Sequence, residues 1–265
     1  MSAITFASVS KSYGSIRALR DVSFEIARGE CVALLGPNGA GKTTALEILL
    51  GLRSADEGCA RIEGSLACTP QATGFPDALR VRDLLEFAAA HYSHPQPIDA
   101  ALSAFGLEDY ARLRVGGLSG GEQRRVALAL AFVGNTDVVI LDEPSTGLDA
   151  ESRRKLWGQL RDGCSSRTTL FTTHYLEEAE ALATRIILID RGVVQFDGTP
   201  NEFRMRFGMR RMEYTDVLGV RQTIATNDTD RAVRELVSSG ASFHDLVVTQ
   251  SSFEEIFLAL TGVQQ

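Results

Sequence analysis

Gly36-Pro37-Asn38-Gly39-Ala40-Gly41-Lys42-Thr43-Thr44 is the stretch on which the fold turns. It fits the phosphate-binding loop pattern G-x-x-x-x-G-K-[ST]. A strand-like apolar run, Cys31-Val32-Ala33-Leu34-Leu35, feeds it, and a helix-like segment over residues 44–50 leaves it. The glycines let backbone N–H groups turn inward with no Cβ in the way. Those donors and the helix N-terminus make a nest for anionic phosphates. In such a loop Lys42 reaches the β- and γ-phosphates and the Thr43 hydroxyl holds Mg²⁺. An ordinary glycine-rich turn would satisfy the glycines, but not the Lys-Thr pair between strand and helix.

Upstream, residues 3–9 and 20–26 alternate apolar and polar side chains, the period of half-exposed antiparallel strands. Tyr13 lies between them. It reads equally as a ring stacked on an adenine base or as an aromatic packed at a turn. Downstream, residues 59–63 suggest another short strand, and residues 66–71 end on Gln71. A glutamine there either binds Mg²⁺ or orients a water, or is a solvated surface residue. Leu84, Leu85, Ala88 and Ala89 give residues 82–91 the spacing of an amphipathic helix, which Pro95 and Pro97 terminate.

A second glycine-rich turn, Leu118-Ser119-Gly120-Gly121-Glu122, opens a helix over residues 123–132. Ser119 can cap that helix or meet a phosphate, since Gly120 and Gly121 leave a positive helix end open. Then comes Val138-Val139-Ile140-Leu141-Asp142-Glu143. Four consecutive apolar residues suit a central strand buried on both faces. Its two carboxylates fall at the end where parallel sheets bind ligands. Asp142 and Glu143 point differently, so one can serve Mg²⁺ while the other acts as a general base. Strand 168–173 is followed at once by His174, placed either to hydrogen-bond a γ-phosphate or to serve a structural role.

The totals restrict the classes. The chain has 265 residues and a net charge of −7, which disfavours a basic nucleic-acid face. The longest apolar run, residues 126–133, is far too short for a bilayer span, and no secretion signal opens the sequence. Cys31, Cys59, Cys68 and Cys164 are scattered, as expected of reduced thiols that mostly fill core. Residues 204–210 turn basic and polar and read as a linker. The tail beyond reads as a small α+β unit. Its last helix is announced by overlapping capping boxes, Ser251 with Glu254 and Ser252 with Glu255.

Taken in order, Tyr13, the phosphate loop, Gln71, residues 118–122, residues 138–143, Asp149 and His174 resemble the nucleotide-binding subunit of an ATP-binding cassette (ABC) transporter. The resemblance covers residues 1 to about 200. The tail stretch over residues 252–262 is similar to the C-terminal extension of drug-type bacterial exporters.

The resemblance implies an α/β P-loop NTPase core over residues 1–205: a mostly parallel sheet, an antiparallel β lobe and a helical subdomain at about 76–134. Residues 206–265 form a small C-terminal accessory α+β extension. It implies that Tyr13 stacks on adenine and that Gly36, Pro37, Asn38, Gly39, Ala40, Gly41, Lys42, Thr43 and Thr44 bind the phosphates. Thr43, Gln71 and Asp142 serve Mg²⁺. Glu143 is the general base, and His174, Gln71 and Lys42 complete the catalytic set. Ser119, Gly120, Gly121 and Glu122 complete the site of an opposite subunit, with Asp149 linking the two sites. Glu122 stands where glutamine is common, and the stretch from Gly58 to Gln71 is shorter than usual.

The cofactors implied are ATP and Mg²⁺. The partners implied are an integral-membrane transporter subunit and a second ABC subunit, the same chain or a different one. No nucleic acid is expected. The place implied is the cytoplasm, peripheral on the inner face of the cell membrane. A groove beside the 82–91 helix, with Phe75 and Leu79, is the expected seat of the membrane partner. The competing readings are a non-transport ABC-type ATPase acting on a macromolecular partner, and a small-molecule kinase. The former class carries paired cassettes, coiled coils or basic extensions; residues 118–122 and His174 argue against the latter.

Overall fold

The computed structural model describes residues 1–69, 74–165, 167–208, 210–226 and 228–250. The chain divides into two compact units, Met1–Gly198 and Thr199–Gln265.

The first unit opens with two long strands, β1 (Ser2–Tyr13) and β2 (Ile16–Ala27). From Val22 on, β2 buries alternate residues (Val22, Phe24, Ile26), as its period demands. Next come β3 (Cys31–Leu35), α1 (Lys42–Leu49), β4 (Glu57–Ile62) and β5 (Leu66–Thr69). Strands β2-β1-β4 form the expected antiparallel lobe, pinned by stacked Phe6 and Phe24 rings 4.9 Å apart.

Helices α2 (Val81–Ala89), α3 (Ile98–Ala104) and α4 (Gly120–Val133) make the helical region. Phe105 packs on Phe132 of α4 with ring centres 5.5 Å apart. Then follow β6 (Val138–Asp142), α5 (Ala150–Ser165), β7 (Thr168–Thr173), α6 (Leu176–Leu182), β8 (Arg185–Asp190) and β9 (Val193–Gly198). The main sheet runs β5-β6-β7-β3-β8-β9, parallel except for β9 at its edge. Every residue of β3 and β7 is buried, as are Val138 to Leu141 of β6. Continuous burial is what a sheet covered on both faces requires. Leu46, Ile48 and Leu49 of α1 join lobe and sheet in one core with Val22, Phe24, Val32 and Ile187. That core fixes the phosphate loop between two rigid layers.

The second unit holds α7 (Pro200–Phe207), β10 (Arg210–Asp216), β11 (Arg221–Thr226), α8 (Thr229–Ser238) and β12 (Phe243–Gln250). Its sheet is antiparallel in the order β11-β10-β12. Residues 204–210 do not read as a linker in the structure: residues 204–207 close α7 and Arg210 opens β10. The two compact units divide after Gly198, where the resemblance implied a division at 205/206. The cause is local. Thr199 and Glu202 form a capping box with Pro200 at the first helical position, an arrangement worth about 1 kcal/mol. Two of the four cysteines, Cys31 and Cys164, are core residues; Cys59 and Cys68 are exposed, so half of the expected core filling fails. The expected helix after Ser251 and Ser252 lies outside the described residues.

Candidate functional site

Strands β6, β7 and β3 are neighbours, and their carboxyl ends deliver the candidate residues to one edge. β3 gives the phosphate loop, β6 gives Asp142 and then Glu143, and β7 runs into His174. Ligands bind at such strand ends in parallel sheets.

The loop is shaped for an anion. Gly39 and Gly41 have φ of 80° and 108°, which side-chain-bearing residues rarely adopt. No side chain caps α1 at Gly41, so the first N–H groups of the helix are left for a ligand. A Cβ on Gly36 would sit 2.2 Å from the Ile189 carbonyl oxygen, and one on Gly41 would sit 2.5 Å from that of Ala18. Lys42 is buried, and its ammonium donates to the carbonyls of Gly36 (2.6 Å) and Pro37 (3.0 Å). Burial pulls its pKa down, against the pull of Glu143 and Asp142. Residues 38–44, Glu143 and Tyr13 line one cleft of about 440 Å³. Tyr13 is partly exposed at its edge, with Arg53 5.1 Å and Lys11 5.8 Å from the ring centre.

The two carboxylates differ in environment. Burial raises Asp142, Glu143 adds to that, and the Thr172 hydroxyl that donates to its Oδ1 opposes them. Glu143 is also pushed up by burial, but Thr146, His174 and Lys42 outweigh this and hold it below the usual range. Thr146 donates to Glu143 Oε2 at 2.8 Å, and His174 Nδ1 lies 3.3 Å from Oε1. Glu143 has φ of 47°, a left-handed conformation costing about 1–3 kcal/mol in a non-glycine residue.

Two residues that the sequence reading passed over hold that conformation. The buried Arg124 guanidinium on α4 donates to the carbonyls of Asp142 (2.6 Å), Glu143 (2.7 Å) and Pro144 (2.8 Å). Thr172 accepts the Glu143 N–H through its hydroxyl at 2.9 Å. Arg124 stands beside Arg125 in the polar opening of α4, ahead of the apolar run that begins at Val126, so the sequence carries no local signal for it.

The fit to Mg²⁺ rests on donor chemistry. A threonine hydroxyl, Thr43, and a half-buried carboxylate, Asp142, are the hard oxygen donors that Mg²⁺ takes. Among the described residues no cluster of three or more His, Cys, Asp or Glu side chains could hold a metal alone. Thr43 and Asp142 would hold the ion together with further oxygen donors from nucleotide phosphates or water. Gln71 lies outside the described residues.

Ser119, Gly121 and Glu122 line a different cleft, of about 280 Å³, together with Leu148 and Ser152. It shares no lining residue with the first. Ser119 and Glu122 form a capping box: Glu122 Oε2 accepts the Ser119 N–H at 2.7 Å. Glu122 thus has a task of its own as a carboxylate at a positive helix end. Asp149 caps α5, accepting from the N–H groups of Glu151 and Ser152 and from the Ser152 hydroxyl.

Comparison with known proteins agrees with this geometry. The family model described as ABC transporter matches residues 19–146. The doxorubicin resistance ATP-binding protein DrrA of Mycobacterium tuberculosis is 34% identical, over 98% of this chain and 93% of that protein. The Nod factor export ATP-binding protein I of Sinorhizobium fredii is 33% identical, over 98% and 86%. Among solved structures, an ATP-binding subunit of an ABC transporter aligns with TM-score 0.69 and 27% identity, covering 77% of this chain and 93% of that one. A dimeric ATP-binding cassette bound to ADP and Pi aligns at 0.66 and 25%, covering 74% and 98%. With its phosphate loop, paired carboxylates and a separate signature cleft, the one at the Ser119–Glu122 signature turn, the chain belongs to the ABC transporter family, as an ATP-binding cassette subunit that hydrolyses ATP.

Proposed function

We propose that this cassette works as a pair, two chains closing on ATP, and drives an integral-membrane subunit that exports its cargo. One observation carries the reading: the phosphate loop and the signature turn line separate clefts of the same chain. Each cleft supplies one side of a phosphate site and lacks the other. A second cassette, the same chain or a related one, would bring its Ser119–Glu122 helix end over the phosphates held at residues 36–44. ATP would then favour the closed pair by its differential affinity, and hydrolysis would remove that bias.

Within each site the roles follow from chemistry. Lys42 and the loop N–H groups bind the phosphates, and Tyr13 stacks on the base. Glu143 accepts the proton of the attacking water, and His174 holds the γ-phosphate. Thr43, Asp142 and Gln71 hold Mg²⁺, which when bound offsets phosphate charge. Asp149 fixes the start of α5 at the interface between the chains.

Among the described residues no helix is long and apolar enough to cross a membrane. We place the chain on the cytoplasmic face, docked to its partner through the helical region. Leu79, Phe87 and Leu113 are exposed there, and Phe75 is half-buried. The name of the Sinorhizobium fredii relative, a Nod factor export protein, supports the direction of transport. The extension over residues 206–265 is read as an accessory unit. Phe75→Asp is expected to abolish transport in membranes while basal ATP turnover stays within about twofold. Undiminished transport in that variant would move the docking surface elsewhere.

A further inference from the structure

Helix α5 begins at the Asp149 cap and shows two working faces. Ser152, Lys155 and Gln159 share one and line the signature cleft. Arg153 and Trp157, four residues apart, share the next. There the Arg153 guanidinium carbon lies 4.1 Å from the centre of the Tyr175 ring, within cation–π range. Arg153 Nε is buried and has no hydrogen-bond partner, so the ring is its main anchor. The Tyr175 ring lies 4.0 Å from the ring of His174, tilted by 41°. The Tyr175 N–H donates to Thr173 Oγ1 at 2.9 Å, which closes the turn around His174.

A second tie lies beside the first. The Trp157 indole N–H donates to Glu178 Oε1 at 3.2 Å, in the first turn of α6. Glu178 is fully buried, and burial pushes its carboxyl up against the opposing influence of Thr173, Ser145, Trp157 and the Arg153 charge. Helix α5 therefore grips the segment that carries His174 at two points.

The geometry points to Arg153 and Tyr175 as positioning residues that hold the His174 ring beside Glu143, with α5 tying that hold to the signature cleft. This rests on the roles proposed above for His174 and Glu143. A nucleotide pressed into the signature cleft by a partner chain meets the Ser152 face of α5. The Arg153 face of the same helix then bears on His174 of the chain's own site. The two half-sites are in this way coupled inside one chain.

The test measures ATP turnover by the purified full chain across ATP and Mg²⁺ concentrations. Arg153→Leu and Tyr175→Leu should each lower kcat about tenfold, ~1.4 kcal/mol in barrier, with KM for ATP little changed. The double variant should fall no further than Tyr175→Leu alone, because Arg153 acts through the ring that this change removes. Tyr175→Phe keeps the ring and should stay near the parent rate. Trp157, the only tryptophan, gives a second readout. Its emission should shift when Mg·ATP is added to Glu143→Gln, and the shift should vanish in Glu143→Gln/Arg153→Leu.

Parental kcat in both leucine variants overturns the inference, as does a Tyr175→Phe variant as impaired as Tyr175→Leu. An undiminished fluorescence shift in the double variant overturns the link through α5. Should Arg153→Leu not fold, the Tyr175 pair, checked by thermal melting, decides alone. A parent chain that binds no ATP would instead sink the reading of the site itself, which is a different result.

Discussion

Glu143→Gln is expected to lower ATP turnover by about 10²–10⁴-fold while leaving ATP binding intact. The residue stands beyond the end of β6, facing the cleft of the phosphate loop. Thr146, His174 and Lys42 hold its carboxyl below the usual carboxylate range, and an ionised carboxylate can accept a proton. Glutamine has the same size and can still accept from the Thr146 hydroxyl. It cannot accept the proton of an attacking water. The donors that would grip phosphate belong to residues 36–44 and are not touched. Turnover and nucleotide affinity, measured on the same preparation, check both halves. Turnover within tenfold of the parent would remove Glu143 from the role of general base.

Arg124→Leu is expected to cost both stability and activity. The guanidinium serves three backbone carbonyls, at Asp142, Glu143 and Pro144. Leaving a buried acceptor without a donor costs about 1–3 kcal/mol; the Glu143 carbonyl keeps the Thr146 N–H at 3.1 Å, so the Asp142 and Pro144 carbonyls bear most of the loss. A net loss of roughly 3 kcal/mol follows, a melting shift on the order of 10 °C for a unit of this size. The left-handed Glu143 loses one of its two holds and keeps the bond from its N–H to the Thr172 hydroxyl, so the proposed general base would be placed less firmly. Thermal melting and turnover below the melting point separate the two effects. Arg124→Lys keeps the charge but cannot fork to three carbonyls, and should recover little of the rate. A variant that melts like the parent would mean that the carbonyls are satisfied without Arg124.

What could be read from the sequence was whatever the chemistry writes locally. A phosphate nest needs glycines, a lysine and a hydroxyl in consecutive positions, so residues 36–44 declare themselves. The all-apolar strands β3 and β6 do the same, because burial on both faces admits no alternation. Arg124 and Thr172 stayed hidden because their importance lies in partners far along the chain. Their meaning appears only when α4, β6 and β7 are side by side. Residues 204–210 misled for a different reason. Arginine on an exposed strand or in a last helical turn is ordinary, and composition does not distinguish that from a linker. The T-x-x-E of Thr199 and Glu202, with proline between them, was the overlooked cue. The same pattern at Ser119 and Glu122 gives the signature turn a structural task besides any contact with nucleotide.

The claim that one chain holds two incomplete halves is tested most directly by the mass of Glu143→Gln in solution with saturating Mg·ATP, by sedimentation or light scattering. The account predicts a dimer with Mg·ATP and a monomer without it, and a dimer lost again when Ser119 is replaced by a bulky residue such as phenylalanine. A Glu143→Gln chain that binds Mg·ATP yet stays monomeric, alone and when mixed with any cassette that co-purifies with the parent, would contradict it.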